Sequence, residues 1–232
     1  MRVNDIPLVR ELDLFAEMAE ANFDELMQAA FLQRFPPQIQ LITEGDPADF
    51  LHIVVEGGVE LFATGNGRET SIEMVRPVST FILAAVLRDA AYLMSGRTAE
   101  NSHVLMIPAE NVRAIFDRDN VFARAVVREL SGRYRAVVKS LKNHKLRNAV
   151  ERLANYLLRL HEEQGGACSL QLQIDKRTLA ALLGMTPENL SRAFAALKPY
   201  GVEVKGRDIQ LSKPADLRNL AKPNPLIDDP AT

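Results

Sequence analysis

The hydrophobic pattern changes period along the chain. Over residues 6–33, Leu8, Leu12, Leu14, Phe15, Met18, Phe23, Leu26, Met27 and Ala30 predict one or two short amphipathic helices. From Phe35 the apolar positions alternate instead. Leu51, Ile53 and Val55, then Val59, Leu61 and Ala63, then Ile72, Met74 and Val75 form short runs, divided by Pro36-Pro37, Gly45-Asp46-Pro47, Gly57-Gly58 and Gly65-Asn66-Gly67. Short strands at that spacing predict a β-sandwich or jelly roll. A short helix over Ala109 to Phe116 follows, and from Asp119, a plausible cap, a long helical pattern runs to about His144. Within it Ala123, Val127, Leu130, Tyr134, Val137, Leu141 and His144 are spaced 4, 3, 4, 3, 4, 3. That is a heptad seam, and a helix carrying one needs a partner. A second stripe, including Phe122, Val126 and Ala136, suits packing on the chain's own body.

Helical period returns after the seam. Val150, Leu153, Ala154, Leu157, Leu158 and Leu160 mark an amphipathic helix ending near Gln164-Gly165-Gly166, and Leu170, Leu172 and Ile174 alternate as a strand. Then comes a capped pair of helices over Asp175–Leu197. Asp175 caps the first, Gly184 supplies the positive φ of its end, and Thr186-Pro187 opens the second as N-cap and N1. Leu190, Phe194 and Leu197 give the second helix a buried stripe, which leaves Glu188, Asn189, Ser191 and Arg192 on its opening turns. The polar face of such a helix suits a DNA major groove, although an ordinary helical hairpin fits the pattern by itself. Val202 and Val204, then Ile209 and Leu211, flank Lys205-Gly206-Arg207-Asp208, a hairpin with a basic tip. The pattern divides the chain into 1–118, a helix over 119–145, a domain over 146–220, and 221–232, read as a loose tail because Pro and acids recur there without period.

Charge adds a direction to this division. Residues 1–118 hold 9 Arg, no Lys and 18 acids, a net −9, whereas 119–232 hold 19 basic residues and 12 acids, a net +7. The second half is therefore suited to a polyanion and the first is not. A single cysteine, Cys168, excludes an internal disulfide and a thiolate cluster within one chain. No apolar run approaches the roughly 20 residues of a membrane span, and acids interrupt the apolar N-terminus, so a cytoplasmic protein is expected.

At this point the sequence resembles a known family. LAALLGMTPENLSRAFAAL, with VERLANYLLRL before it and GVEVKGRDIQL after it, is similar to the winged helix-turn-helix of the Crp/Fnr transcription regulators, and EGDPADFLHIVVEGGVELF resembles their cyclic-nucleotide-binding-like β-roll. The resemblance implies an α+β chain: a double-stranded β-helix (jelly roll) sensor domain, a long dimerisation helix, and a winged helix-turn-helix. It implies a homodimer on double-stranded DNA, with RNA polymerase as protein partner. Glu188, Ser191 and Arg192 fall on the family's Glu-x-x-Ser-Arg positions and are the expected base readers, of a palindromic TTGA-type site. Lys176, Thr186, Asn189, Lys205 and Arg207 are expected on phosphates.

The effector cassette departs from the family pattern. Where cyclic-AMP-binding members carry Gly-Glu and then Arg-Ser, this chain aligns Leu83-Ala84 and Tyr92-Leu93, and a phosphate there would be desolvated with little to pair it. Arg88 and Arg97 are the basic residues left nearby. The apolar run FILAAVLRDAAYLM then reads either as packed core or as a pocket for haem or another hydrophobic effector, with His52, His103 or Met94 as axial ligand. A cupin enzyme on the same jelly roll would need clustered His and carboxylate ligands, and His52 and His103 stand apart without a His-x-His pair.

Overall fold

The computed structural model describes residues 6–229, in two compact units that meet in sequence between Arg133 and Tyr134. The first unit begins with α1 (Ile6–Arg10) and α2 (Glu20–Ala29). Phe31 already belongs to β1 (Phe31–Phe35), so the helical pattern read over 6–33 stops three residues early. β2 (Gln40–Ile42), β3 (Phe50–Glu56), β4 (Val59–Gly65), β5 (Arg68–Val75) and β6 (Ser79–Phe81) follow, then α3 (Leu83–Arg88), β7 (Ser95–Thr98), β8 (Ser102–Pro108) and α4 (Ala109–Arg118).

The strands form two four-stranded antiparallel sheets, ordered β1-β8-β3-β6 and β2-β7-β4-β5. Each sheet joins strands distant in sequence, as the wound jelly roll requires. Every residue of β3 from Leu51 to Val55 is buried. That is why Val54 is apolar as well, where a one-sided strand alternating through Leu51, Ile53 and Val55 would carry a polar residue. The turn from β3 to β4 depends on Gly57, whose φ of +83° and whose missing Cβ, which would lie 2.4 Å from the Asn101 carbonyl, both exclude a side chain.

The long helix α5 (Asn120–Leu146) starts as expected: Asp119 Oδ1 accepts from the N–H groups of Val121 and Phe122 at 2.9 and 3.0 Å, and Asn22 Nδ2 donates to Oδ2 at 2.8 Å. Phe122 stacks on Phe15 with centroids 6.0 Å apart, and Ala125 and Val126 join the same core. The start of α5 thus belongs to the β-roll unit, which extends past the expected boundary at residue 118. Ala136, read in the same stripe, is exposed.

The second unit holds the remainder of α5, then α6 (Ala149–Glu163), β9 (Ser169–Gln171), α7 (Lys176–Leu182), α8 (Pro187–Leu197), a 3-10 turn, β10 (Val202–Lys205), β11 (Asp208–Leu211), α9 (Pro214–Ala221) and α10 (Pro225–Asp228). Asn148 and Glu151 cap α6 reciprocally. Leu153, Leu157, Leu170, Leu179, Leu190, Leu197, Val202, Ile209 and Leu217 form one core under a sheet ordered β10-β11-β9. The loose tail expected over 221–232 is corrected for its described part, 221–229; residues 230–232 lie outside the described residues. Asn224 caps α10 through Leu226 N–H at 2.9 Å, and both carboxylate oxygens of Asp228 are bound by Arg147. Side-chain anchoring of that kind leaves no hydrophobic period to read.

Candidate nucleic-acid interface

The two helices of the turn are built by their caps. Asp175 Oδ1 accepts from Thr178 N–H at 2.8 Å and starts α7; Thr186 Oγ1 accepts from Asn189 N–H at 3.3 Å and starts α8, with Pro187 at N1. Gly184 takes φ +61° between them, and a Cβ there would lie 2.6 Å from the His144 ring. Behind the turn Arg152 Nε donates to the Leu183 carbonyl at 2.8 Å, satisfying the open end of α7. Sequence reading missed that residue, because nothing in the periodicity says which arginine turns inward.

Helix α8 divides cleanly. Leu190, Ala193, Phe194 and Leu197 are buried, while Glu188, Asn189, Ser191, Arg192, Ala195 and Ala196 are exposed. The three expected base readers therefore share the open face. The Thr186 hydroxyl, the Glu188 backbone N–H and the Arg192 guanidinium hold the Glu188 carboxyl below the usual carboxylate range. Glu188 is thus a fixed acceptor at neutral pH, whereas the Thr186 hydroxyl is engaged in the cap. Lys176 and Asn189 are exposed, with Lys176 Nζ 6.0 Å from the Phe194 ring. Arg177, exposed next to Lys176, is a further cation that the motif reading passed over.

The hairpin pairs Lys205 with Asp208, so Gly206 and Arg207 form its tip, and Lys205 and Arg207 are exposed. The Arg207 carbonyl accepts from Leu172 N–H at 2.9 Å, tying the tip to the strand before α7. Helix face and wing are thus both exposed and carry guanidinium and ammonium groups.

The four effector residues differ in exposure. Leu83 and Tyr92 lie in the core, Ala84 is exposed, and Leu93 is 82% exposed. The reason is local: residues 83–88 form a helix, which turns Leu83 and Val86 inward and Ala84 out. Ile82 precedes it at φ +65°, a conformation a glycine would adopt without strain. Burial pushes the Tyr92 phenol up despite backbone hydrogen bonds at Phe50 and Asp49. A cavity of about 320 Å³ in this unit is lined instead by Leu12, Asp13, Ser79, Thr80 and Glu129 among others.

Of the two arginines nearby, Arg97 is committed elsewhere and Arg88 stands at the surface. Arg97 donates to Glu60 at 2.9 Å and twice to Glu69 at 3.1 and 2.7 Å while covering the Phe62 ring. His52 is buried against Phe81, with centroids 5.0 Å apart, and burial pulls its imidazole down to about 4. His103 Nδ1 lies 2.7 Å from Glu56. His52 pairs across the sheet with Met106, three residues from His103 on β8, so the two imidazoles point to opposite faces. Met94 is half-buried. Among the described residues no three His, Cys, Asp or Glu side chains are grouped to hold a metal ion.

Comparison with known proteins places both halves. Residues 32–119 match the cyclic nucleotide-binding domain, and residues 151–220 match the Crp-like helix-turn-helix domain. The chain is 29% identical over 195 residues to the nitrogen fixation regulation protein FixK of Rhizobium meliloti, covering 80% of this chain and 85% of that one. It is also 29% identical over 191 residues to the cyclic AMP receptor protein of Thermus thermophilus, covering 82% and 87%. The structure of FixK2 from Bradyrhizobium japonicum superposes with a TM-score of 0.70 at 22% identity, over 82% of this chain and 96% of that one, a likeness of fold.

Proposed function

The chain belongs to the Crp/Fnr family of transcription regulators, a family without enzymatic activity, and we propose that it acts as a parallel homodimer reading a palindromic TTGA-type site. The observation that carries this reading is the open face of α8, where Glu188, Ser191 and Arg192 stand together at the start of a well-capped helix. Arg192 pairs with guanine O6 and N7, Glu188 accepts from a cytosine amino group, and Ser191 contacts either. Lys176, Asn189, Lys205 and Arg207 hold the phosphates, joined by Arg177; the Thr186 hydroxyl serves the cap first.

The dimer rests on the seam of α5. Val127, Tyr134, Val137 and Leu141 are 59, 72, 65 and 56% exposed in one chain, while Ala123 and Leu130 are half-buried. A row of apolar side chains at heptad spacing favours a second copy, and two copies set two recognition helices one helical turn apart. RNA polymerase is the protein partner of a regulator so built, and the cytoplasm its compartment. No described helix is long and apolar enough to cross a membrane.

The regulator works without cyclic nucleotide. The cassette at residues 81–94 presents buried Leu83 and Tyr92 where a cyclic phosphate would need a cation, and Arg97 is held by two carboxylates. The packed side chains also favour core over a haem pocket. One experiment covers the reading: selection from a randomised duplex pool by the purified protein, with and without cyclic AMP. A palindromic TTGA-type consensus, recovered equally in both, is expected; recovery of no consensus sinks the DNA assignment, and recovery only with cyclic AMP sinks the effector assignment.

A further inference from the structure

The C-terminal segment returns to the joint between α5 and α6, and its contacts are too directed to be a tail. Arg147, the first residue after α5, has its side chain 7% exposed and grips Asp228 with both terminal nitrogens, Nη1 to Oδ1 at 2.6 Å and Nη2 to Oδ2 at 2.5 Å. Its Nη1 also donates to Asn143 Oδ1 at 3.1 Å, and Asp228 Oδ2 accepts from Asn224 N–H at 2.7 Å. Two lysines of α5 reach the same segment: Lys139 Nζ donates to the Asp229 carbonyl at 2.7 Å and Lys142 Nζ to the Leu226 carbonyl at 3.3 Å. Burial would push the Asp228 carboxyl up, but the Arg147 guanidinium and the Asn224 N–H outweigh it and hold the group ionised.

From the other side of the joint the chain of contacts runs to the DNA-reading turn. The Arg147 carbonyl accepts from Arg152 Nη1 at 2.7 Å, and Arg152 Nε donates to the Leu183 carbonyl at 2.8 Å. The His144 ring lies against Gly184. Only Arg147 and Asn148 separate the two helices, so the direction in which α6 leaves α5 depends on a few backbone dihedrals. Lys139 stands two positions past Val137 and Lys142 one past Leu141, off the seam, so the segment leaves the seam open.

We propose that residues 222–229 are a clamp on this joint, with Asp228 as its positioning residue: it fixes the direction in which the winged domain leaves α5, and so the spacing of the two recognition helices. A bidentate guanidinium-carboxylate pair resists rotation as a single contact does not, which suits it to set an angle. The effect on DNA rests on the dimeric reading above; the effect on the joint does not.

The test compares the full chain with Asp228→Ala and with Asp228→Glu, which keeps the charge. Hydrogen exchange of the free protein is expected to rise about tenfold at amides 143–152 in Asp228→Ala, and to return toward the parent value in Asp228→Glu. On DNA, Asp228→Ala is expected to lose about tenfold in affinity for a duplex with two half-sites and less than twofold for a single half-site. Unchanged exchange at 143–152 overturns the clamp. Equal losses on both duplexes, with exchange raised throughout 149–221, overturn it too, because Asp228 then supports the fold of the domain and not its direction. A parent protein that binds neither duplex refutes the DNA reading, while the exchange result still decides the clamp.

Discussion

Replacing Leu141 by Ala separates a dimer seam from an exposed apolar stripe. Leu141 is 56% exposed in one chain, and the truncation removes three carbons. At about 0.8 kcal/mol per buried carbon, the complete burial of that group is worth roughly 2.4 kcal/mol. Only the part open in the single chain is gained on association, which leaves about 1.3 kcal/mol per protomer and about 2.7 kcal/mol for two copies. That is about a hundredfold increase in the dimer dissociation constant. In a monomer the same change lies on an exposed helix face and falls within about 0.5 kcal/mol of neutral. Sedimentation equilibrium over a dilution series reads the constant directly, and the melting temperature of the parent should rise with concentration while that of Leu141→Ala rises only at higher concentration. An unchanged dissociation constant, or a parent that sediments as a monomer at every concentration, would refute the seam.

Four further outcomes follow from the structure. Arg192→Ala should cost about 1–3 kcal/mol on the preferred site and relax one base position, read by competition with single-base variants; equal losses on preferred and random duplexes would remove it as a base reader. Lys205→Ala should weaken all duplexes alike and lower the slope of log affinity against log salt by about 1, and a change confined to one sequence would contradict a phosphate role. Gly184→Ala should destabilise by about 1–2 kcal/mol in urea titrations because of its positive φ, and most of that loss should persist beside His144→Ala, since the exposed ring can move away. His52, free near 6.5 in the unfolded chain and at about 4 in the fold, adds stability that is fully present above pH 6.5 and lost as pH falls toward 4. The loss approaches about 3 kcal/mol, and His52→Phe should flatten the titration between those pH values; a slope identical to that of the parent would show that other groups carry it.

The sequence carried the fold because its strongest signals are local. Caps at Asp175 and Thr186, proline at 187, turn glycines and two hydrophobic periods each act over a few residues, and all appear in the structure. The open face of α8 was legible for the same reason: a helix buried along Leu190, Phe194 and Leu197 must expose Glu188, Ser191 and Arg192. Contacts between distant residues decided the rest. No period announces that Asp228 meets Arg147, that Arg152 closes α7, or that Arg97 is consumed by Glu60 and Glu69. The cassette shows the limit most directly. Its apolar run predicted either a core or a pocket, and only the folded chain turned Leu83 and Tyr92 inward and Leu93 out to water. Period fixes which face of an element is apolar, but which side chains from distant elements meet there is settled by packing, and that is decided in three dimensions.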